Sequence, residues 1–293
     1  MAGLTPESVA IGHVTLDRFG DTIRPGGAAL YAAVTAHRLG LSAAILTSHG
    51  DDFPLEILPP QIEVVSLEAA ETTCFEYEAG DGERAMRVSA AARRLGVGDV
   101  PEDWRGADIV MLSPVLDEVD PLVISAFAEG SVGAGVQGYL RALGPHGRVV
   151  ARSWESPDFV LDHAQAVFLS LEDVSHDVSE AVEWLQRVPV GAVTDGRRGA
   201  HLYVNGERYR VRPRRAREVD PTGAGDVFAA AFMVEYRRQG DPWEAAAAAA
   251  CAAALSVETE GWMGIPDRPH LEAALADYHR VLEQDSRPGS ALS

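Results

Sequence analysis

Residues 219–228 read Val219-Asp220-Pro221-Thr222-Gly223-Ala224-Gly225-Asp226-Val227-Phe228. Two glycines separated by one small residue let a backbone come close to a ligand, and the apolar residues that follow predict the first turns of a helix. A helix start carries N–H groups without intrahelical partners and the positive end of the helix dipole, so the segment is a cradle for an anion. Asp226 falls in that first turn, where its ionised form is favoured. From there it can accept the proton of a hydroxyl attacking a phosphoryl group held by the amides of Gly223, Ala224 and Gly225. A carboxylate that only caps a Gly-rich turn is the alternative for so short a string.

Composition narrows the chemistry. The 293 residues contain 44 acidic side chains against 25 basic ones, all of them Arg, for a formal charge of −19. With no Lys, a Schiff-base enzyme, a pyridoxal-phosphate enzyme, a Walker-A site and a protein kinase are excluded, and any phosphate must be held by backbone amides, Arg or metal. So acidic a chain disfavours nucleic acid and anionic lipid, which it repels over a Debye length of about 8 Å. The longest apolar run, 245–255, is short of a membrane span. Met1 to Ser8 lacks the basic start and apolar stretch of a secretory signal, and Cys74 and Cys251 form neither a zinc spacing nor a disulfide framework. A cytoplasmic protein acting on small molecules is expected.

Around the quoted segment, apolar β-branched runs alternate with amphipathic stretches, the pattern of a mainly parallel sheet between helix layers. Buried strands are predicted at 8–12, 43–47, 62–67, 108–112, 148–151, 166–170 and 191–194. Helices are predicted at 27–39, 120–127, 136–143, 178–186, 224–238, 243–259 and 269–284. Residues 14–24 and 72–88 alternate apolar and polar side chains, the latter around Ala79-Gly80-Asp81-Gly82, and predict a small β-flap covering the main domain. Asn205-Gly206 marks a hairpin between 200–204 and 208–211. The expected organisation is one α/β domain over 1–284, lid segments near 13–25 and 72–88, and a flexible tail over 285–293.

The string Asp-Pro-Thr-Gly-Ala-Gly-Asp-Val-Phe resembles the C-terminal signature of the ribokinase-like (PfkB) carbohydrate kinases, with Pro221 where that family more often has Thr. Pro25-Gly26-Gly27-Ala28, followed by an Ala-rich helix ending in Leu39-Gly40, resembles the family's N-terminal signature. The resemblance implies a ribokinase-like fold and ATP-dependent phosphorylation of a hydroxyl on a sugar, polyol or nucleoside. It implies Asp226 as catalytic base, Gly223, Ala224 and Gly225 as the anion hole, and Asp17, Gly26 and Gly27 as acceptor-binding residues. A carboxylate suits a polyol because it accepts two hydroxyl protons without donating. Tyr31 stands where sugar kinases of the family often have Asn; it could stack on or hydrogen-bond a ring-shaped polyol, and a buried core Tyr is the alternative.

Thr194, Gly196 and Gly199 resemble the family's Thr-x-Gly-x-x-Gly turn, which with Thr222 and Ala254 implies the nucleotide site, closed by residues 261–266. Ser170-Leu171-Glu172-Asp173 stands where the family has Asn-x-x-Glu, leaving Asp173 to orient water on Mg2+. Arg197 or one of Arg208, Arg210, Arg212, Arg214, Arg215 and Arg217 is expected near the phosphates; a solvated sheet edge is the alternative for the last six. Gln137-Gly138-Tyr139-Leu140-Arg141 resembles a stretch of some members without an evident role. Tyr31 and the Asp220-Pro221 variant point to the branch resembling myo-inositol kinases. A nucleoside kinase or an inactive ligand-binding member is the alternative, and the flap could pair two subunits.

Overall fold

Parallel pairing of short β-branched strands builds the centre of the protein. The computed structural model describes residues 4–77, 86–127, 129–175 and 177–285; the expected turn at 79–82 and nearly all of the expected tail lie outside them. Nine strands form the main sheet. In spatial order they are β15 (Glu207–Val211), β14 (Ala200–Val204), β13 (Val190–Thr194), β12 (Ala166–Ser170), β9 (Ser131–Gly135), β8 (Ile109–Leu112), β1 (Ser8–Ile11), β4 (Ala43–His49) and β5 (Glu63–Glu68). Every pairing from β13 to β5 is parallel, and β13–β14–β15 is an antiparallel meander.

The two-residue period of a strand divides its side chains between two cores. Ala10, Ile45, Met111 and Phe168 enter one core with α1 (Ala28–Arg38), α4 (Ala224–Gln239), α5 (Pro242–Ser256) and α6 (Arg268–Asp285). Val9, Ile11, Leu46, Val110 and Leu169 enter the other with Trp104, Trp154, α2 (Asp158–His163) and α3 (Ser179–Leu185). Ala245 to Ala250 and Ala252 of α5 are buried, which brings its backbone close to its neighbours.

The β-flap is a four-stranded sheet in the order β3 (Thr22–Gly26), β2 (Thr15–Phe19), β6 (Thr73–Tyr77), β7 (Met86–Ala90). Phe75 and Val88 pack from it onto Val115, Ala28 and Val149, a small apolar cluster separate from the two main cores.

Three sequence expectations fail around the other core. Residues 136–143 form no α-helix: a single 3-10 turn at Gln137–Leu140 runs into β10 (Arg141–Leu143), which pairs with β11 (Val149–Ala151). Residues 148–151 therefore form a half-exposed hairpin rather than a buried strand of the main sheet. Gly138 explains the turn, because a methyl group there would stand 2.3 Å from the carbonyl carbon of Pro114, too close for a helix surface. Residues 121–126 are 3-10 rather than α. Strand β9 was not anticipated because glycines dilute its pattern; a methyl group on Gly133 would stand 2.8 Å from Met111 Sδ and from Met233 Cγ.

Gly27 fixes the junction of flap and body. It takes φ 102° at the start of α1, and a methyl group there would lie 2.4 Å from the His13 carbonyl oxygen and 2.9 Å from the Thr15 amide nitrogen. Gly27→Ala is expected to destabilise the protein by about 3 kcal/mol or more, from the strain of a positive φ and a backbone clash together. Chemical denaturation measures this, and an unchanged midpoint contradicts it.

Candidate active site

Asp226 lies in the first turn of α4, and Gly223 caps that helix in the left-handed conformation at φ 74°. The amide of Ala224 is taken by the carbonyl of Pro221 at 3.2 Å, whereas those of Gly223, Gly225 and Asp226 have no protein acceptor among the described residues. The amides left open to an anion at this helix start are therefore those of Gly223, Gly225 and Asp226, whereas that of Ala224 is already engaged. The two glycines serve different ends. A methyl group on Gly223 would stand 2.3 Å from Cε1 of Tyr31, but one on Gly225 would meet no protein atom. Gly223 is demanded by the chain; Gly225 keeps the space before the amides open.

Tyr31 is 3% exposed and its ring lies against Gly223, so it supports the anion-hole loop from behind. Burial, then the negative charges of Asp220, Asp17 and Asp226, hold its phenol well above the usual range.

Asp17 stands on β2, buried, with Gly26 pressed against it: a methyl group on Gly26 would lie 2.8 Å from Asp17 Oδ2. Burial pushes the Asp17 carboxyl up to about 6, opposed by the Thr15 hydroxyl, which donates to Oδ1 at 3.2 Å, and by the charge of Arg141. Asp226 is pushed up to about 7 by desolvation, opposed by Arg141 and reinforced by Asp173 and Asp17. The two carboxyls thus sense each other, and one guanidinium, that of Arg141, faces both. In the unfolded chain both titrate near 3.8, so the folded chain binds more protons between about pH 4 and 7 and loses stability as the pH rises through that window.

Asp220 organises the loop before α4. Its Oδ1 accepts the Thr222 amide at 3.0 Å, and its Oδ2 accepts the Gly261 amide at 3.0 Å and Arg24 Nη1 at 3.3 Å. Burial would raise its carboxyl, but these bonds outweigh burial and hold it below the usual range. Arg24 also reaches Glu260 at 3.3 Å, and it is the cross-strand partner of Asp17 on the flap. One guanidinium therefore ties the flap, the anion-hole loop and the segment after α5 together.

The residues expected at the nucleotide are brought to one side. Gly199, at φ 95°, closes the turn between β13 and β14; Thr194 ends β13; Gly196 lies in the turn at φ 49°. Val219 and Asp220 donate to the carbonyl of Val257, and Arg197 pairs with Glu218 at 2.9 Å, which joins that turn to the segment ahead of the anion hole. Ala254 is half-buried on the last turns of α5, ahead of this seam. Arg197, Arg212 and Arg214 are paired with Glu218, Asp285 and Glu258, whereas Arg141 has no ion pair among the described residues and only a 3.4 Å bond to the Val115 carbonyl.

Asp173 is fixed by Gln137 Nε2 at 2.9 Å and the Ser170 amide at 2.7 Å. No group of three metal-binding side chains occurs among the described residues. The charge of Asp173 raises the proton affinity of Asp226, and two carboxylates so placed fit a magnesium ion that keeps most of its waters.

Sequence reasoning missed Asp220, Arg24 and Arg141 as site residues. The first lay in the quoted segment, the third in the Gln137–Arg141 string, and Arg24 gave no signal, because its partners are 196 and 236 residues away.

Comparison with known proteins follows this geometry. The profile of the pfkB family carbohydrate kinases matches residues 158–268. The chain is 26% identical over 256 residues to a cytidine kinase of Thermococcus kodakarensis, spanning 80% of this chain and 90% of that one. It is 27% identical over 219 residues to an inositol 3-kinase of Arabidopsis thaliana, spanning 71% of this chain and 60% of that one. A solved structure from the conversion of a pyrophosphate-dependent myo-inositol-1 kinase into a myo-inositol-3 kinase superposes with TM-score 0.76 at 20% identity, over 92% of this chain and 99% of that one. The fold is ribokinase-like.

Gly225→Ala is expected to leave the melting temperature within about 1 °C of wild type while raising the donor KM severalfold. Gly223→Ala is expected to lower it by several degrees. Thermal denaturation with initial-rate kinetics separates the two, and equal losses of stability contradict the assignment.

Proposed function

We propose that this chain, a member of the ribokinase-like pfkB family of carbohydrate kinases, transfers the γ-phosphoryl group of ATP to a hydroxyl of a small sugar or polyol. The observation that carries the reading is the pairing of three free amides at the start of α4 with the desolvated Asp226 beside them and Asp17 within its electrostatic reach.

Each group has one task. Asp17 accepts hydrogen bonds from the acceptor's hydroxyls and orients it. Asp226, at about 7, has the proton affinity of an efficient base near neutral pH. It takes the hydroxyl proton as the new O–P bond forms and the bond from phosphorus to the leaving oxygen breaks. The amides of Gly223, Gly225 and Asp226 receive the charge on the phosphoryl oxygens, and Arg141 balances the two carboxylates. A magnesium ion bound with the donor would neutralise phosphate charge. Thr194, Gly196, Gly199, Thr222 and Ala254 line the nucleotide, with Asp173 toward the metal. The flap excludes water, which otherwise competes with the acceptor.

The myo-inositol branch is the first choice of acceptor, supported by the plant inositol 3-kinase. A nucleoside acceptor is the second reading, favoured by the cytidine kinase that spans most of this chain. Initial rates with inositols, pentoses, hexoses and nucleosides, each with ATP and with pyrophosphate as donor, decide both substrates. No transfer to any acceptor from either donor would leave a ligand-binding protein instead.

Asp226→Asn is expected to retain donor binding, gain a few degrees of melting temperature above pH 7, and lose about 10²–10⁴-fold in kcat. Turnover near the wild-type rate would remove Asp226 from the mechanism. In the wild type, kcat/KM rises with pH through about 6 to 7 as Asp17 and Asp226 ionise. Arg141 lowers both, so Arg141→Gln moves that acid limb to higher pH; a limb that stays or moves down contradicts the electrostatic assignment.

A further inference from the structure

Arg141, whose charge acts on both Asp17 and Asp226, also lines a cavity of about 280 Å3. It is walled by the end of the flap at Ala91–Arg94, by Leu116–Glu118 after β8, and by Arg141–Leu143 and Arg152. Its charges are not those of the rest of the molecule. Three guanidiniums, Arg94, Arg141 and Arg152, line it against two carboxylates, Asp117 and Glu118. Glu118 is committed to the backbone: it accepts the amides of His13 and Val115 at 3.0 Å and of Leu116 at 2.7 Å. The ring of the lining His13 is held between the Thr73 hydroxyl at 2.7 Å and the Arg93 carbonyl at 2.8 Å. Asp117, in a left-handed turn at φ 59°, is shared between Arg152 at 2.9 Å and Arg94 at 3.5 Å. Arg152 is aimed by its bond to the Tyr139 carbonyl at 3.0 Å, and Glu155 stands 3.9 Å from it at the margin.

Arg141 has no carboxylate partner among the described residues. A chain of net charge −19 thus surrounds one small cavity with a net positive lining. One carboxylate, Asp117, offsets both Arg94 and Arg152, Arg141 has none, and an oxyanion that accepts from two guanidiniums at once would complete the arrangement. The volume is close to the ~300 Å3 lower bound of ligand pockets and suits a small metabolite rather than a nucleotide.

We propose that this cavity binds a small organic oxyanion, a phosphate monoester or a carboxylate, through Arg94, Arg141 and Arg152. The inference rests on the kinase reading only for what the anion does there, either as the charged end of the acceptor or as an effector acting through Arg141.

Calorimetry on the full chain, with hexose 6-phosphate, hexonate and the neutral hexose as probes, tests it. An anion is expected to bind at least about tenfold more tightly than the neutral sugar, more weakly as salt rises, and about tenfold more weakly to Arg94→Gln and Arg152→Gln. Arg94 is largely exposed, so its variant keeps the fold. Equal binding of the neutral sugar, or unchanged anion binding by the double variant, overturns the proposal. So does an anion displaced by the phosphoryl donor and lost in Gly225→Ala, which would place it in the anion hole. Donor-dependent phosphorylation of the bound anion identifies it as acceptor; a changed KM for a neutral acceptor without such phosphorylation identifies it as effector. Anion binding that depends on Arg94 and Arg152 in a protein that phosphorylates nothing upholds the cavity and removes the kinase.

Discussion

The carboxylate of Asp220 is the contact on which the site's geometry rests. Its two oxygens hold the Thr222 amide, the Gly261 amide and the Arg24 guanidinium, and so join three segments far apart in sequence. A charged group this enclosed is tolerable only because every oxygen has a donor. With those bonds in place, the loop enters α4 with Gly223 in its left-handed conformation and leaves three amides facing outward. Tyr31 braces the loop from behind.

The other carboxylates are treated in the opposite way. Asp17 and Asp226 receive little hydrogen-bond support, so burial raises both. The contrast separates the three by environment: the carboxyl that holds structure is saturated with donors, and the two proposed to meet a hydroxyl, Asp17 to orient it and Asp226 to take its proton, are left short of them. Arg141 keeps the pair from rising further, and the same side chain opens onto the positively lined cavity. Acceptor side, base and cavity therefore share one electrostatic node. On the proposed function, helix-start amides and arginine would supply the positive charge in a chain without Lys.

The fold was readable in the sequence where residues act through neighbours in the chain. Continuous apolar β-branched runs gave the strands at 8–12, 43–47 and 166–170, and the Ala-rich periodic segments gave α1, α4 and α5 within a few residues. The reading failed at 136–143, where a helical pattern of apolar residues was overridden by the approach of Pro114 to Gly138, and at β9, where glycines chosen for contact with methionines removed the β-branched signal. Within the site, Gly223, Gly225 and Asp226 were legible because their geometry is local to one turn. The clasp of Arg24 on Asp220 and the reach of Arg141 depend on how distant segments meet, and no spacing records them, whereas the engagement of the Ala224 amide by Pro221 is a local turn whose hydrogen bond the string does not spell out.

The central claim is that desolvation, not a lysine or a histidine, prepares Asp17 and Asp226 for work on a hydroxyl. Carboxyl 13C NMR titration of the wild type, with Asp17→Asn and Asp226→Asn to assign the signals, tests it most directly. The account predicts one carboxyl titrating near 6 and another near 7, each missing from its own variant. Titration of both groups in the ordinary range, near 3.8, would contradict it.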